Sequence, residues 1–286
     1  MTDAAMLKAE QAAQWQSGAS VRLQRAELIE KHWGPISAEL LARARVSAGQ
    51  RLLDIGTGHG EPALAGARLV GPTGHVTGID LSLEMLDAAR ARATTARIAN
   101  VSWVAQDAEE LELPPRSFDA AVSRNSLMFL PRPERAMARV LGALRPRGCF
   151  AVAVVGPEET QEQWTMTVDA IVACLGLPPL TRGKLGEPGV YSLSSENVLR
   201  SLFEDAGYID LRIEAKDLVY DFADPDEVVT WHEINPTIRG LLARRSDDDV
   251  RAAWKVVIDA ARRRADADGH VRIHSQIIYA AGQRPG

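Results

Sequence analysis

Cysteine is nearly absent. Cys149 and Cys174 are all that 286 residues carry, so neither a disulfide framework nor a cysteine metal site can be assembled. Cys149 opens an apolar run and reads as core. Long apolar runs are missing as well. The longest, Cys149 to Val155, is far short of the roughly 20 residues that a bilayer-spanning helix takes. The opening segment MTDAAMLKAEQAAQW carries charges and glutamines where a secretory leader has an apolar stretch. The expectation is a cytoplasmic protein without a membrane partner or a metal. Basic charge is also in deficit, with 33 Lys and Arg against 38 Asp and Glu and a net charge of −5. That balance disfavours nucleic acid as a partner, since phosphates need a basic face. There is no internal repeat and no low-complexity linker.

What is present is ordinary in bulk, 46% apolar and 25% charged, and long enough for a full hydrophobic core. Its order is informative. RLLDI, HVTGID, VSWVAQD, FDAAVS and CFAVAVV read as five strands. Between them lie helical stretches at Pro62–Val70, Leu81–Ile98 and Arg132–Leu144, with Ser82 as an N-cap and Arg145–Gly148 as a turn. Strands alternating with helices predict parallel βαβ units. Beyond Val155 the chain reads as a Gly- and Pro-rich segment with a helix near Trp164 to Leu175, then a helix over Ser194–Ala206. A long strand over Tyr208–Val219, a mostly helical stretch over Asp221–Asp268 and a last strand over Val271–Ala281 follow.

The turn after the first strand, Leu52-Leu-Asp-Ile-Gly-Thr-Gly-His-Gly60, carries the first chemical signal. Gly56, Gly58 and Gly60 let the backbone turn sharply and approach a ligand with no Cβ in the way. A dinucleotide fingerprint requires a third glycine at position 61, and the residue there is Glu61, whose carboxylate opposes a pyrophosphate. Asp54 suits a cationic group instead. Asp80 ends the second strand, where a carboxylate can accept both ribose hydroxyls. Asp107 ends the third, placed to accept from an adenine amine while the Ala108 N–H donates to the ring. Ser123 ends the fourth. Each alone is an ordinary cap or turn residue. One per strand, on the edge where open α/β sheets bind ligands, they read as a nucleoside site.

The segments LLDIGTGHGEPAL, GHVTGIDLSLEMLDAAR, QDAEEL, FDAAVSRNSLMFL and RVLGALRPRGCFAVAVV resemble, in order and spacing, the class I S-adenosylmethionine-dependent methyltransferases. The similarity is to the branch with the ubiquinone- and menaquinone-pathway C-methyltransferases and many natural-product enzymes. It covers residues 51–155, is weaker at AGYIDLRIE and over the last strand, and departs at His59, where these sequences often carry a small residue. The resemblance implies a doubly wound, seven-stranded, mostly parallel Rossmann-like α/β sheet with an antiparallel final strand. It implies S-adenosylmethionine as cofactor, lined by Gly56, Gly58 and Gly60. Asp54 would lie near its ammonium, Asp80 at the ribose, Leu81 and Met85 beside the adenine, Asp107 and Ala108 at the adenine edge, and Ser123 at the methionyl moiety through its backbone.

The chain is thus expected to be one methyltransferase domain, 1–286. Within it, 1–46 is a helical cap, 51–155 the cofactor-binding core, 156–193 and 220–269 cap insertions, and 194–219 with 271–281 the rest of the sheet. Methyl transfer is an in-line displacement needing alignment, water exclusion and, for oxygen nucleophiles, a base. Candidates on the acceptor side are His232, Glu233 and Asn125, with Arg124 and Phe129 also facing the methyl group. Trp15, Phe129, Trp164, Tyr191 and Trp231 are candidate pocket residues. The tryptophans outside the sheet either line an apolar pocket or dock the cap onto the sheet. The expected reaction is methylation of a carbon or oxygen of a small lipophilic metabolite. The alternative is a protein of this fold that binds the cofactor but mainly binds or rearranges a small molecule. The fourth strand ends in Ser-Arg-Asn-Ser, unlike the turn used by amino-methylating nucleic-acid enzymes.

Overall fold

The structure is a computed structural model that describes residues 3–180 and 187–286. Parts of the expected cap (1–2) and of the first insertion (181–186) lie outside the described residues. Three helices come first: α1 (Asp3–Ser17), α2 (Ala19–Gln24) and α3 (Ala26–Arg43). Then β1 (Arg51–Ile55), α4 (Ala63–Val70), β2 (His75–Asp80), α5 (Leu83–Thr95), β3 (Val101–Ala105), β4 (Phe118–Arg124), α6 (Pro133–Ala143) and β5 (Leu144–Val155) alternate. The remainder is α7 (Glu162–Trp164), α8 (Ala170–Cys174), α9 (Glu196–Asp205), β6 (Ile209–Phe222), α10 (Pro225–His232), α11 (Pro236–Leu242), α12 (Asp247–Arg264) and β7 (Val271–Gln283).

The strands form one sheet in the order β3-β2-β1-β4-β5-β7-β6. β7 runs antiparallel to both neighbours and the other strand pairs are parallel. Central strands are apolar on both faces because helices cover both. In β5, Phe150, Val152 and Val154 join one buried cluster with Met137 and Val140 of α6 and Phe203 of α9. Their alternates Ala151 and Ala153 join another with Ile36 and Leu40 of α3 and Ala67 of α4. This is the two-residue period of a strand buried on both sides. A third cluster sits off the sheet body, where Ile29 of α3, Trp164, Ile171, Trp231 and Val257 enclose Phe222 and Ile273 at the strand ends. The helical insertions therefore pack on one another.

Some boundaries differ from the sequence reading. β3 stops at Ala105, so Asp107 lies beyond it and caps the single turn Ala108–Glu110 through its own carboxylate. Arg145–Gly148 lies within β5. Its turn character survives as Arg147 at φ +62° and a register shift between Phe118 and Ala120. The helix near Trp164 is interrupted by a π turn at Thr165–Asp169. The Ser82 cap is as expected, its side chain accepting from Met85 N at 3.2 Å. No helix among the described residues is long and apolar enough to cross a membrane.

Candidate active site

The glycine-rich turn leaves β1 and binds its neighbours through the backbone. Gly56 has φ +68°, and a Cβ there would sit 1.9 Å from Ser126 Oγ, so conformation and close approach both demand glycine. Thr57 N donates to Ile79 O at 2.9 Å, tying the turn to the end of β2. Asp80 is fixed at both oxygens: Oδ2 accepts from Gly58 N at 2.8 Å and Oδ1 from Ser82 N at 2.9 Å. Each oxygen keeps a further lone pair, so Asp80 is positioned and still able to accept. Burial raises its pKa, against the pull of those backbone bonds.

Strand order sets the layout of a chamber of about 160 Å³ across these ends. Gln106, Asp107 and Ala108 follow β3, Asp80 ends β2 with Leu81 and Met85 after it, Gly56 to Gly58 follow β1, and Asn125 and Ser126 follow β4. Lys8, Ala12 and Trp15 of α1, Arg22 of α2 and Trp33 of α3 complete the wall. Lys8 donates to Asp107 Oδ2 at 2.6 Å and to Glu109 Oε2 at 2.7 Å, while Asp107 Oδ1 accepts from Glu109 N at 2.9 Å. Partial burial works against the Lys8 ammonium, but the bonds to Asp107 and Glu109 outweigh it and raise its pKa. The first of the covering helices is thereby tied to the segment just after β3, a contact with no signal in the sequence.

Three expected cofactor residues are absent from this wall. Asp54 lies beneath the turn, with Oδ2 accepting from Thr57 Oγ1 at 2.6 Å and from Ala63 N at 3.1 Å. Burial pushes its carboxyl up to about 7. Gly60, at φ +102°, serves packing, since a Cβ there would meet Ala89 and Leu64. Ser123 is fully buried and its hydroxyl donates to Ile55 O at 3.0 Å. Each helps to hold the turn and strand ends. The sequence offers little to separate such residues from those touching a ligand, because both occupy the same motif. His59 does reach the wall. Its imidazole is buried, held well below its ordinary pKa first by burial, and Nε2 has no partner. Glu61 also lines the chamber; burial, with Glu30 nearby, pushes its carboxyl up to about 7.

A second chamber, of about 370 Å³, opens beyond the first. The two share Trp15, Arg22, Trp33, Asn125 and Phe129. Trp164, Trp231, Leu180, Val190 and Ile234 make its far wall apolar. His232 also lines it. Its Nδ1 lies 2.8 Å from Val228 O, and a carbonyl only accepts, so Nδ1 carries the hydrogen. Burial lowers the His232 pKa to about 4. The ring is therefore neutral at pH 7, and its unprotonated Nε2 is buried without a partner. Asn125, at φ +51°, likewise has a buried, unpartnered Oδ1.

Other acceptor-side expectations are corrected. Glu233 is on neither wall; it pairs with Arg25 at 2.8 Å near the surface. Tyr191 is buried behind Trp164, ring centroids 6.3 Å apart. Arg124 reaches only the first chamber and turns toward α3, donating to Ser37 Oγ at 2.7 Å, Trp33 O at 3.3 Å and Glu61 O at 3.1 Å. Asn125, Phe129, Trp15, Trp164, Trp231 and His232 are brought together around the second chamber.

A mostly parallel α/β sheet with an acidic residue at the second strand end and a glycine turn at the first has the layout of a nucleoside-cofactor protein. Comparison with known proteins narrows the class. Residues 52–148 match the family model described as a methyltransferase domain. A ubiquinone/menaquinone biosynthesis C-methyltransferase, UbiE, of Ectopseudomonas oleovorans is 36% identical over 121 residues, covering 42% of this chain and 69% of that protein. The aklanonic acid methyltransferase DauC of Streptomyces sp. strain C5 is 37% identical over 117 residues, 41% of this chain and 53% of that protein. The chain spans about half the length of most curated relatives it matches. In fold it is similar to Haemonchus contortus phosphoethanolamine N-methyltransferase 2, solved with S-adenosylhomocysteine, at a TM-score of 0.53 and 22% identity, covering 88% and 53% of the two chains. The chain belongs to the S-adenosylmethionine-dependent methyltransferases. Its residues fit that family's cofactor: Asp80 offers free lone pairs for vicinal hydroxyls, Ile79, Leu81 and Met85 supply apolar contact for a base, and the Gly56 cradle is one that a Cβ would fill.

Proposed function

We propose that the protein transfers a methyl group from S-adenosylmethionine to a carbon or oxygen of a small lipophilic metabolite of isoprenoid, quinone or polyketide type. The observation that carries this reading is the pair of adjoining chambers. One has the polar groups of a nucleoside site; the other adds the indoles of Trp164 and Trp231 and aliphatic side chains, with Gln163, His232, Asn235 and Thr237 among them; and they share Trp15, Arg22, Trp33, Asn125 and Phe129. The cofactor supplies an electrophilic methyl on a sulfonium. Asp80 would hold the ribose hydroxyls, Asp107 and Ala108 the adenine edge, and Gly56 to Gly58 would leave room for the sulfur end. The indoles exclude water and orient the acceptor. His232 Nε2 accepts a hydrogen bond from the acceptor's hydroxyl and so turns the nucleophile toward the shared wall. Its depressed pKa makes it an orienting group more than a strong base.

The test is incubation with methyl-labelled S-adenosylmethionine and a panel of quinone, isoprenoid and polyketide acceptors beside sugars and amino acids. Label should enter a lipophilic acceptor. Conversion of an acceptor without label, supported equally by S-adenosylhomocysteine, would instead establish rearrangement. Preference for a sugar or amino acid would refute the lipophilic reading.

A further inference from the structure

Among the described residues, three long cationic side chains line the cofactor chamber: Lys8, Arg22 and Arg124. Lys8 is taken by Asp107 and Glu109. Arg124 has three oxygen acceptors and feels the charges of Glu61, Asp54 and Glu30. Arg22 differs. It is 5% exposed, and no carboxylate among the described residues pairs with it. Its guanidinium donates to Ile234 O at 3.3 Å and lies over the rings of Trp15 and Trp33, 5.0 and 5.9 Å from their centroids. Burial, reinforced by Arg124 and Arg239, lowers its pKa to about 10. A buried cation facing rings and one carbonyl is poorly compensated, and a carboxylate arriving beside it would remove that cost.

Strand order indicates which carboxylate arrives. With adenine over β3 and ribose over β2, the rest of the cofactor extends over β1 and β4, since the order is β3-β2-β1-β4. Arg22 is on that side, close enough for its charge to lower the pKa of His59 in the β1 turn. We propose that Arg22 binds the methionyl carboxylate of the cofactor, so that the helical cover, and not the sheet, reads the cofactor's amino-acid end. The assignment rests on S-adenosylmethionine being the cofactor. It makes Arg22 a cofactor-binding residue on α2, with a planar, two-pronged donor set matched to a carboxylate.

The experiment compares two ligands by calorimetry. S-adenosylhomocysteine has the carboxylate; 5′-methylthioadenosine keeps the nucleoside and sulfur without the amino acid. In Arg22→Met, S-adenosylhomocysteine should bind at least about tenfold more weakly, the scale of a lost charge-assisted hydrogen bond, while methylthioadenosine stays within about twofold. Arg22→Gln, which keeps a hydrogen-bonding amide in the space, should behave alike and serves where Arg22→Met loses its cooperative melting. Equal weakening of both ligands, or no weakening of either, overturns the assignment and leaves the cofactor reading standing. A native protein that binds neither ligand overturns both.

Discussion

At the residue scale, the site separates groups that touch the chamber from groups that hold it. Asp80 does both. Asp80→Asn keeps one oxygen for a backbone N–H but removes the charge that strengthens bonds to two hydroxyls. Affinity for S-adenosylhomocysteine should fall by roughly 1.5–3 kcal/mol, about tenfold or more, in a protein that melts within a few degrees of the native one. An unchanged dissociation constant would reduce Asp80 to a turn residue. Asp54 belongs to the supporting groups, and its signature is pH dependence. Burial raises its folded pKa to about 7, above the ordinary aspartate value of 3.8. The folded state therefore binds the proton more tightly, and stability is lost as pH rises from about 4 to about 7. The buried His232, at about 4 against 6.5, acts oppositely and removes stability as pH falls through that window. The difference between Asp54→Asn and the native protein isolates the carboxyl: melting temperatures between pH 5 and pH 8 should give the variant the flatter decline. Parallel curves would mean that Asp54 is not protonated in the folded state. Such supporting roles were not legible in the sequence, since Asp54, Gly60 and Ser123 share a motif with residues on the wall. Lys8 and Arg22 were invisible for another reason: Lys8 lies 99 residues from Asp107 and Arg22 lies 212 residues from Ile234, whose carbonyl it meets, and only tertiary packing brings them there.

At the element scale, the alternating core was readable and the insertions were only partly so. Buried parallel strands are apolar on both faces and short, which makes RLLDI and FDAAVS stand out. The misplacements fall where a local signal competed with pairing. Pro146 and Gly148 mark a turn in sequence, yet β5 starts at Leu144, whose register partner is Phe118. The stretch expected to turn helical at Asp221 stays extended through Phe222 because β7 pairs with it to the end, Phe222 opposite Val271. Where local signal and environment agreed, as at Ser82, the reading held. That cap also carries weight in the site, since Ser82 N holds Asp80 while its hydroxyl caps α5. Ser82→Ala should cost about 1 kcal/mol of stability and leave ribose binding nearly intact, because the backbone donor remains. A loss of cofactor affinity as large as that of Asp80→Asn would show that the cap and the carboxylate act as one unit.

At the scale of the whole molecule, the chain divides into a sheet whose strand ends line the first chamber and helices that roof it, and the roof is not uniform. α3 is built into the body: Ile36 and Leu40 are fully buried, and Ile29 nearly so. Among the described residues, α1 and α2 are tied down by Lys8 to Asp107 and Glu109 and by Gln16 to Glu84, and they expose Met6 and Leu23. Surface-anchored segments of this kind open at lower free-energy cost than the core, so residues 3–24 are expected to be the part that moves, with Arg25, where α2 ends and α3 begins, as the pivot. Trp15 lies against Phe129 at the border between the chambers, ring centroids 5.3 Å apart, and closure there would exclude water from the reacting atoms. Hydrogen exchange is the direct measurement. In the free protein, residues 3–24 should exchange much faster than 26–43. S-adenosylhomocysteine should slow the first segment and leave the second unchanged. Trp15→Ala should raise the acceptor KM several-fold more than it weakens cofactor binding, because the ring faces both chambers while the nucleoside is held from the sheet. If residues 3–24 are as protected as 26–43 before any ligand is added, and Trp15→Ala weakens cofactor and acceptor in proportion, the roof is a fixed wall and cofactor entry must take another route.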